Sequence, residues 1–173
     1  MAYYLGAIFG VIIGSVLGIV VFLKYTKTDN SIRCKYDERQ QLVRGIGFKY
    51  GFFTVIIYDI VAAIFMSYEK KQYIDHATLM FSGVLISAFI YAVYCIWNEG
   101  YFSLNENPKR VAIVFAAVAL LNFGVGYRSF LHGLLIEDGM LTFKCINIFC
   151  GILMLMLFLV MAAKRISKEK EEK

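Results

Sequence analysis

The chain has 173 residues, of which 60% are hydrophobic and 18% are charged, and its mean hydropathy is +0.64. Soluble domains are closer to half apolar and carry about a quarter charged residues, so this composition excludes an ordinary soluble globule. The net charge of +5 does not indicate nucleic-acid binding, because the basic residues collect in the gaps between apolar stretches, as membrane topology requires.

Five apolar stretches follow one another along the chain, and each approaches the roughly 20 residues that a helix needs to cross a bilayer. The predicted spans cover residues 3–23, 50–66, 77–97, 111–131 and 142–163. A loop over 24–49 and a tail over 164–173 belong to the same single transmembrane domain. The predicted fold class is all-α: an integral membrane helical bundle of five transmembrane helices.

Two local signals predict where helices begin. Asn107 followed by Pro108 precedes the fourth apolar run, and Asn at the N-cap with Pro at the first helical position is a typical helix start. Asp37 can cap another helix in the same way, with an acid in the first turn where the helix dipole favours it. There we expect a short amphipathic helix at the membrane surface, with a bend at Gly45 and Gly47 before the second span begins.

The basic residues are distributed unevenly among the gaps. Fourteen of the eighteen Lys and Arg lie in the 24–49 loop, in the gap before the fourth span, or in the 164–173 tail. Because basic residues in short loops stay in the cytoplasm, the N-terminus is predicted to face outward and the C-terminus to be cytoplasmic. No basic side chain precedes the first span and no small-residue cleavage site follows it, so we expect a retained helix, not a signal peptide.

The first span carries a glycine ladder of the glycine-zipper type. Its members recur every four residues: Gly6, Gly10, Gly14 and Gly18. Residues at this spacing share one helix face, and small-xxx-small faces let helices approach closely in lipid. The ladder predicts either a homo-oligomer or a partner membrane protein bound through this span, or close packing against another span of the same chain.

Asp59 lies within the second span and has apolar flanks on both sides. Its distance from Lys49 is ten residues, or about 15 Å along a helix, which predicts a position near the bilayer midplane. A carboxylate at that depth is costly unless it is protonated, paired or hydrated. Asn122 and Tyr91 are candidate partners at a similar depth. Three roles stay open: a proton or cation relay, a hydrogen bond that holds two helices together, or ligand binding.

Three basic residues of the 24–49 loop are candidate contact residues: Arg39, Arg44 and Lys49. Basic side chains beneath a membrane attract anionic lipid, and an amphipathic segment can also bind a cytoplasmic protein. The third interpretation is that the segment only leads into the second span.

No pattern indicates catalysis, a cofactor or a metal. The four cysteines show no CxxC or ligand spacing and are interpreted as apolar filling: Cys34, Cys95, Cys145 and Cys150. The two histidines, His76 and His132, are isolated near the predicted outer face, so a metal site based on histidine is not expected. We therefore expect a protein that is not an enzyme and uses no cofactor.

Several segments carry a family resemblance. They are YDERQ at 36–40, RGIGFKYGFF at 44–53, YFSLN at 101–105 and LIEDG at 135–139. Together they resemble an uncharacterised family of small multi-pass membrane proteins from Gram-positive, clostridia-like bacteria. The resemblance covers the chain from about residue 36 onward. It implies an integral protein of the bacterial cytoplasmic (plasma) membrane and no particular activity.

These observations support three hypotheses about function. The first is a non-enzymatic interaction, accessory or regulatory component of a membrane complex. The second is a small transporter or channel that uses Asp59, and the third is lipid or small-ligand binding between helices. The predicted partners are the lipid bilayer, a second copy or a membrane protein at the first span, and a cytoplasmic protein at the 24–49 loop.

Overall fold

A computed structural model describes residues 16–29, 33–68 and 72–171, and this part of the chain is mostly helical. The helices are α1 (Val16–Thr26), α2 (Glu38–Tyr68), α3 (His76–Trp97), α4 (Pro108–Leu131) and α5 (Ile146–Glu171). A two-stranded antiparallel hairpin, β1 (Ile136–Glu137) and β2 (Met140–Leu141), and a 3-10 turn at Phe143–Cys145 join α4 to α5. The all-helical architecture predicted from the sequence is confirmed for the described residues.

Four of the described helices, α2 to α5, are long and apolar enough to cross a membrane. Between 11% and 22% of the residues in their most apolar windows are buried inside the protein. Many large apolar side chains of these helices are exposed, among them Ile57, Val84 and Leu120, which suits contact with lipid. The predicted span at 3–23 lies mostly outside the described residues, so five spans and the orientation of the termini stay predictions.

The four long helices pack in the order α2, α3, α5, α4, with each helix against its neighbour in that row. Consequently α2 lies at one edge of the row, and α3 is the long helix that it packs against. The buried apolar cluster lies where α3, α4 and α5 meet, and it consists of Ala92, Ile96, Val111, Phe115 and Leu157.

Helices α2 and α3 approach each other closely because small residues line their contact. The Ser87 hydroxyl donates a 2.8 Å hydrogen bond to the Gly51 carbonyl, and a Cβ at Gly51 would lie 3.2 Å from the Ser87 carbonyl oxygen. Further along, Gly83 of α3 lies against the ring of Tyr58 of α2. Glycine therefore lets each backbone approach the other helix at separate points along the pair.

The helix starts agree with the capping signals. The Asn107 side chain accepts from the Lys109 N–H at 3.0 Å, ahead of Pro108 at the start of α4. The Asp37 carboxylate accepts from the Gln40 N–H at 2.6 Å, and the Gln40 side chain accepts from the Asp37 N–H at 3.3 Å. This reciprocal pair is a capping box. Both predicted starts are confirmed.

Gly45 and Gly47 do not separate a surface helix from the span, because α2 continues from Glu38 to Tyr68 without interruption. Tertiary contacts hold its first turns. Gln40 donates to the carbonyl oxygens of Glu99 and Phe102 at 3.3 Å and 3.0 Å. The helical part of the predicted loop therefore packs on the turn after α3, and it is not a separate surface helix.

The hairpin lies at the other end of the bundle from that turn, beside the start of α3. Asp138 and Gly139 form its two-residue turn with φ of 52° and 76°, and positive φ at both positions is the signature of a type I′ turn. Backbone hydrogen bonds from Leu141 N–H to the Tyr73 carbonyl and from Asp75 N–H to the Leu141 carbonyl attach the hairpin to α3.

A matched pair of substitutions in α2 tests the close packing. In Gly47→Ala the new Cβ would lie 2.8 Å from the sulfur of Cys95, a fully buried side chain, so neighbouring atoms must shift. We expect a loss of about 1–3 kcal/mol in the free energy of unfolding, which lowers the unfolding midpoint in mild detergent.

Gly45→Ala is the control, since a Cβ at Gly45 meets no atom within 4 Å. Alanine is favoured over glycine inside a helix by about 0.5–1 kcal/mol, so this variant should keep or raise the midpoint. An equal change of the unfolding midpoint in Gly47→Ala and Gly45→Ala would contradict the described α2–α3 contact.

Candidate functional site

A buried lysine lies at the end of the bundle where α3 ends, called here the Trp97 end. Lys27 is 1% exposed, and its ammonium group donates to Ser103 Oγ at 2.8 Å, to Cys34 Sγ at 2.9 Å and to Asn105 Oδ1 at 3.5 Å. A buried charge is costly unless hydrogen bonds replace its hydration. The described contacts use all three ammonium donors, so the charge is held in a closed polar site.

Asn105 is the centre of this site. Its amide nitrogen donates to both carboxylate oxygens of Asp29, at 3.0 Å and 3.1 Å, and to the Arg33 carbonyl at 3.0 Å. Its amide oxygen accepts from the Ser103 hydroxyl at 2.9 Å and from the Lys35 N–H at 3.3 Å. One side chain thereby joins the segment after α1 to the loop between α3 and α4.

Further bonds attach the end of α1 to the start of α4. The Thr26 hydroxyl lies 3.2 Å from Glu106 Oε1, while Glu106 Oε2 accepts from the Ser103 N–H at 3.1 Å. The Arg110 guanidinium donates to the carbonyls of Tyr25 and Lys27, both at 3.1 Å. We call the group of Lys27, Cys34, Ser103, Asn105 and Glu106 the Lys27 hub.

The sequence interpretation of Cys34 as apolar filling is wrong. The residue is exposed, and its sulfur accepts a hydrogen bond from the Lys27 ammonium. Sequence reasoning also missed Lys27 and Asn105, because each looks like one more polar loop residue. They become buried only because the fold brings residues 27 and 105, which are 78 positions apart in the sequence, into contact.

A second cluster of charges surrounds Glu99 at the same end. Its carboxylate lies 3.5 Å from Arg39 of α2, 3.3 Å from Lys168 and 3.9 Å from Lys164, both of α5. The hydrogen bond from Lys168 is the main cause that holds the pKa of Glu99 below its usual value. Glu99 has a φ of 58°, in the left-handed region that non-glycine residues seldom adopt. The cluster connects the edge helix α2 with α5.

The three candidate contact residues of the 24–49 loop lie in different surroundings. Arg39 pairs with Glu99, as described, whereas the Arg44 guanidinium lies 4.1 Å from the centre of the Tyr36 ring and 6.0 Å from that of Tyr91. Burial raises the pKa of Tyr36 above its ordinary value. Of the three, Lys49 is exposed on α2 and forms no ion pair with the residues that the structure describes.

The 22 residues of α3 span about 33 Å, close to the thickness of a bilayer core. The level of a residue on α2 can therefore be given by the α3 residue that it contacts. Gly47 and Gly51 both contact Tyr91, so Lys49 between them is level with Tyr91, about 9 Å from the Trp97 end. Lys49 therefore lies inside the apolar length of the bundle.

Asp59 follows Tyr58, whose ring contacts Gly83, and this level is about 10 Å from the start of α3 at His76. Along α3 this level lies nearer the His76 end than the middle of the helix, and α2 begins at Glu38, well before Lys49. The midplane position of Asp59 stays a prediction. The Asp59 residue is exposed, and it forms no hydrogen bond with any residue in the described part of the chain.

The structure does not bring Asp59, Asn122 and Tyr91 together. Asn122 donates to the Val118 carbonyl of its own helix at 2.9 Å, and α4 is not a neighbour of α2 in the row. Tyr91 faces α2 near Phe48, with ring centres 6.1 Å apart, nearly three turns of helix from Asp59. Each of the three polar side chains thus lies in a different environment.

Of the glycine ladder, Gly6, Gly10 and Gly14 lie outside the described residues. Gly18 lies on α1, and a Cβ there would meet no atom within 4 Å. Packing of this face on another span of the same chain is therefore not seen at the one described position of the ladder. No group of three or more His, Cys, Asp or Glu within the described residues is arranged to hold a metal ion.

Comparison with protein-family models, with curated proteins and with solved structures finds no match to this chain. The resemblance to a clostridia-like membrane family therefore stays a prediction.

Asn105→Ala tests the role of the Lys27 hub. The substitution leaves buried partners such as the Ser103 hydroxyl and the Lys27 ammonium with fewer hydrogen bonds, at a cost of about 1–3 kcal/mol in the free energy of unfolding. We expect a lower unfolding midpoint in mild detergent and faster maleimide labelling of Cys34, measured by peptide mass spectrometry.

Asn122→Ala is the matched control, because that side chain bonds only within its own helix. It should leave both the midpoint and the labelling rate of Cys34 close to wild type. Unchanged labelling of Cys34 in Asn105→Ala would show that the hub does not hold this segment in place.

Proposed function

We propose that the chain is a non-enzymatic interaction component of a membrane assembly and that the outward face of α2 binds a membrane helix of another protein molecule. The observation that carries this proposal is the position of Asp59. It is a carboxylate within the membrane-crossing length, on an exposed face of the helix at the edge of the row.

An unpaired carboxylate at the position of Asp59 is energetically unfavourable in a membrane. A charged side chain inside a bilayer costs about 2.5–3.5 kcal/mol on insertion scales, and such residues normally face a bundle interior or a hydrated cavity. Lys49 has a long side chain that can extend its ammonium toward the Trp97 end. Asp59 is too short to do so over about 10 Å. A partner helix with a basic or hydrogen-bonding group at this depth would remove the cost.

The surroundings of Asp59 fit a helix–helix contact. Ile56 and Ala63, at i−3 and i+4, share its face of the helix and are exposed. The face is therefore an apolar surface with a single acid, and a polar group of this kind can specify register in a membrane interface. The partner would be a second copy of this chain or a different membrane protein.

The proposed location is the cytoplasmic membrane of a bacterium, with the N-terminus outside and the C-terminus in the cytoplasm. The charge distribution supports this orientation. The Trp97 end carries the Lys27 hub, the Glu99 cluster and the basic end of α5. Such an excess of basic groups is expected on the cytoplasmic side.

A small transporter or channel that uses Asp59 is the second candidate function. A lone acid at membrane depth is also a common site of proton or cation relay. Because Asp59 faces outward from the described helices, the pathway would have to run between α2 and a second molecule. Proton-linked flux in proteoliposomes that is lost in Asp59→Asn would favour this candidate.

Photocrosslinking in native membranes tests the proposed contact. A photoreactive phenylalanine analogue placed at Ile56 should form a discrete protein–protein product. The same analogue at Leu120, a 72% exposed residue of α4, should label lipid instead. Asp59→Asn should lower the yield of the Ile56 product severalfold, because the substitution removes the charge that the partner recognises.

Tagged and untagged copies expressed together distinguish a self-contact from a different partner by the size of the product. Equal labelling patterns at Ile56 and Leu120 would contradict the proposal, because both positions would then face lipid.

A further inference from the structure

We propose that the Trp97 end of the bundle binds an anionic phospholipid, independently of the partner contact on α2. The phosphate group would lie on Arg39, Lys164 and Lys168. One acyl chain would follow an apolar groove between α2 and α3.

The groove has a volume of about 330 Å³ and is open on one side. It is lined mainly by aromatic and aliphatic side chains, namely Tyr50, Phe89, Ile90, Val93, Tyr94 and Trp97, together with Asn98. The volume is at the lower end of the range of about 300–1,000 Å³ that is typical of ligand pockets. The lining suits a hydrocarbon chain, since the groove runs along the last two to three turns of the apolar helix α3.

The groove and the Glu99 cluster are continuous through two residues. Trp97 lines the groove, and the Lys164 ammonium lies 5.8 Å from the centre of its ring. Asn98 also lines the groove, and its carbonyl accepts from the Arg39 guanidinium at 3.4 Å. The apolar groove therefore ends beside the cations of the Glu99 cluster. This arrangement matches a phospholipid, in which an apolar chain is joined to a charged headgroup.

The charges of the cluster are unbalanced. Three cations surround one carboxylate, so an excess of two positive charges remains around Glu99. The side chains of Arg39 and Lys168 are 60% and 58% exposed, so a headgroup can reach them. Basic pockets between transmembrane helices are typical sites for anionic headgroups. Glu99 positions the cations and at the same time competes with the lipid phosphate.

Trp97 is the only tryptophan in the chain, so its fluorescence reports on this site alone. The full-length protein is reconstituted into phosphatidylcholine vesicles. These contain a minor fraction of brominated lipid, either phosphatidylglycerol or phosphatidylcholine, and bromine quenches tryptophan on contact. Brominated phosphatidylglycerol should quench Trp97 more strongly than the same fraction of brominated phosphatidylcholine, and added salt should reduce the difference.

Two substitutions that each remove one positive charge distinguish binding at this site from a general attraction of the basic surface. Lys168→Gln should lower the preference for the anionic lipid roughly five-fold, whereas Lys170→Gln, two residues further along α5 and outside the cluster, should leave it unchanged. Glu99→Gln should raise the preference, because it removes the competing carboxylate. This last variant keeps the test decisive if Lys168→Gln folds poorly.

Equal quenching by the two brominated lipids in the wild-type protein would overturn the proposal. So would an equal loss of preference in Lys168→Gln and Lys170→Gln, which would indicate a general attraction to the anionic surface.

Discussion

The close contact between α2 and α3 is the constraint on which the remaining features depend. Gly51 lies against the Ser87 carbonyl, and Gly83 against the Tyr58 ring, so neither helix can rotate without a clash. That fixed rotation turns Arg39 toward Glu99 and leaves Asp59 exposed on the outside of the described helices. The edge position of α2 leaves its outward face, with Asp59, uncovered by any other long helix among the described residues.

The Trp97 end adds a second constraint of a different kind. There polar groups, and not glycine contacts, hold segments that are distant in sequence, with Lys27 and Asn105 joining the end of α1 to the α3–α4 loop. A buried network of this kind is stable only when its members are all satisfied. The network restrains the α3–α4 loop, which also carries Glu99, and so holds the Glu99 cluster beside the groove at Trp97.

Local signals in the sequence predicted the parts of the fold that depend on neighbouring residues. Long apolar runs located the four helices that are long and apolar enough to cross a membrane, and Asn107 with Pro108 and Asp37 marked two helix starts. These features follow from backbone geometry and capping, which short stretches of sequence determine.

The sequence could not predict the features that depend on which helices are neighbours. The start of α2 at Glu38 depends on contacts of Gln40 with Glu99 and Phe102, far along the chain, so the level of Asp59 relative to α3 could not be predicted. The burial of Lys27 likewise requires a partner 78 positions away. The sequence does contain one signal of the α2–α3 contact: Gly47 and Gly51 form a GxxxG pair, and both glycines lie against α3.

The most direct test of the central claim is the mass of the particle that mild detergent extracts from native membranes. We expect a complex that contains the 19.7 kDa chain and a partner in fixed stoichiometry, and that is lost in Asp59→Asn while the folded chain remains. A folded chain that is extracted alone, with the same mass in wild type and Asp59→Asn, would contradict the claim that α2 binds a partner.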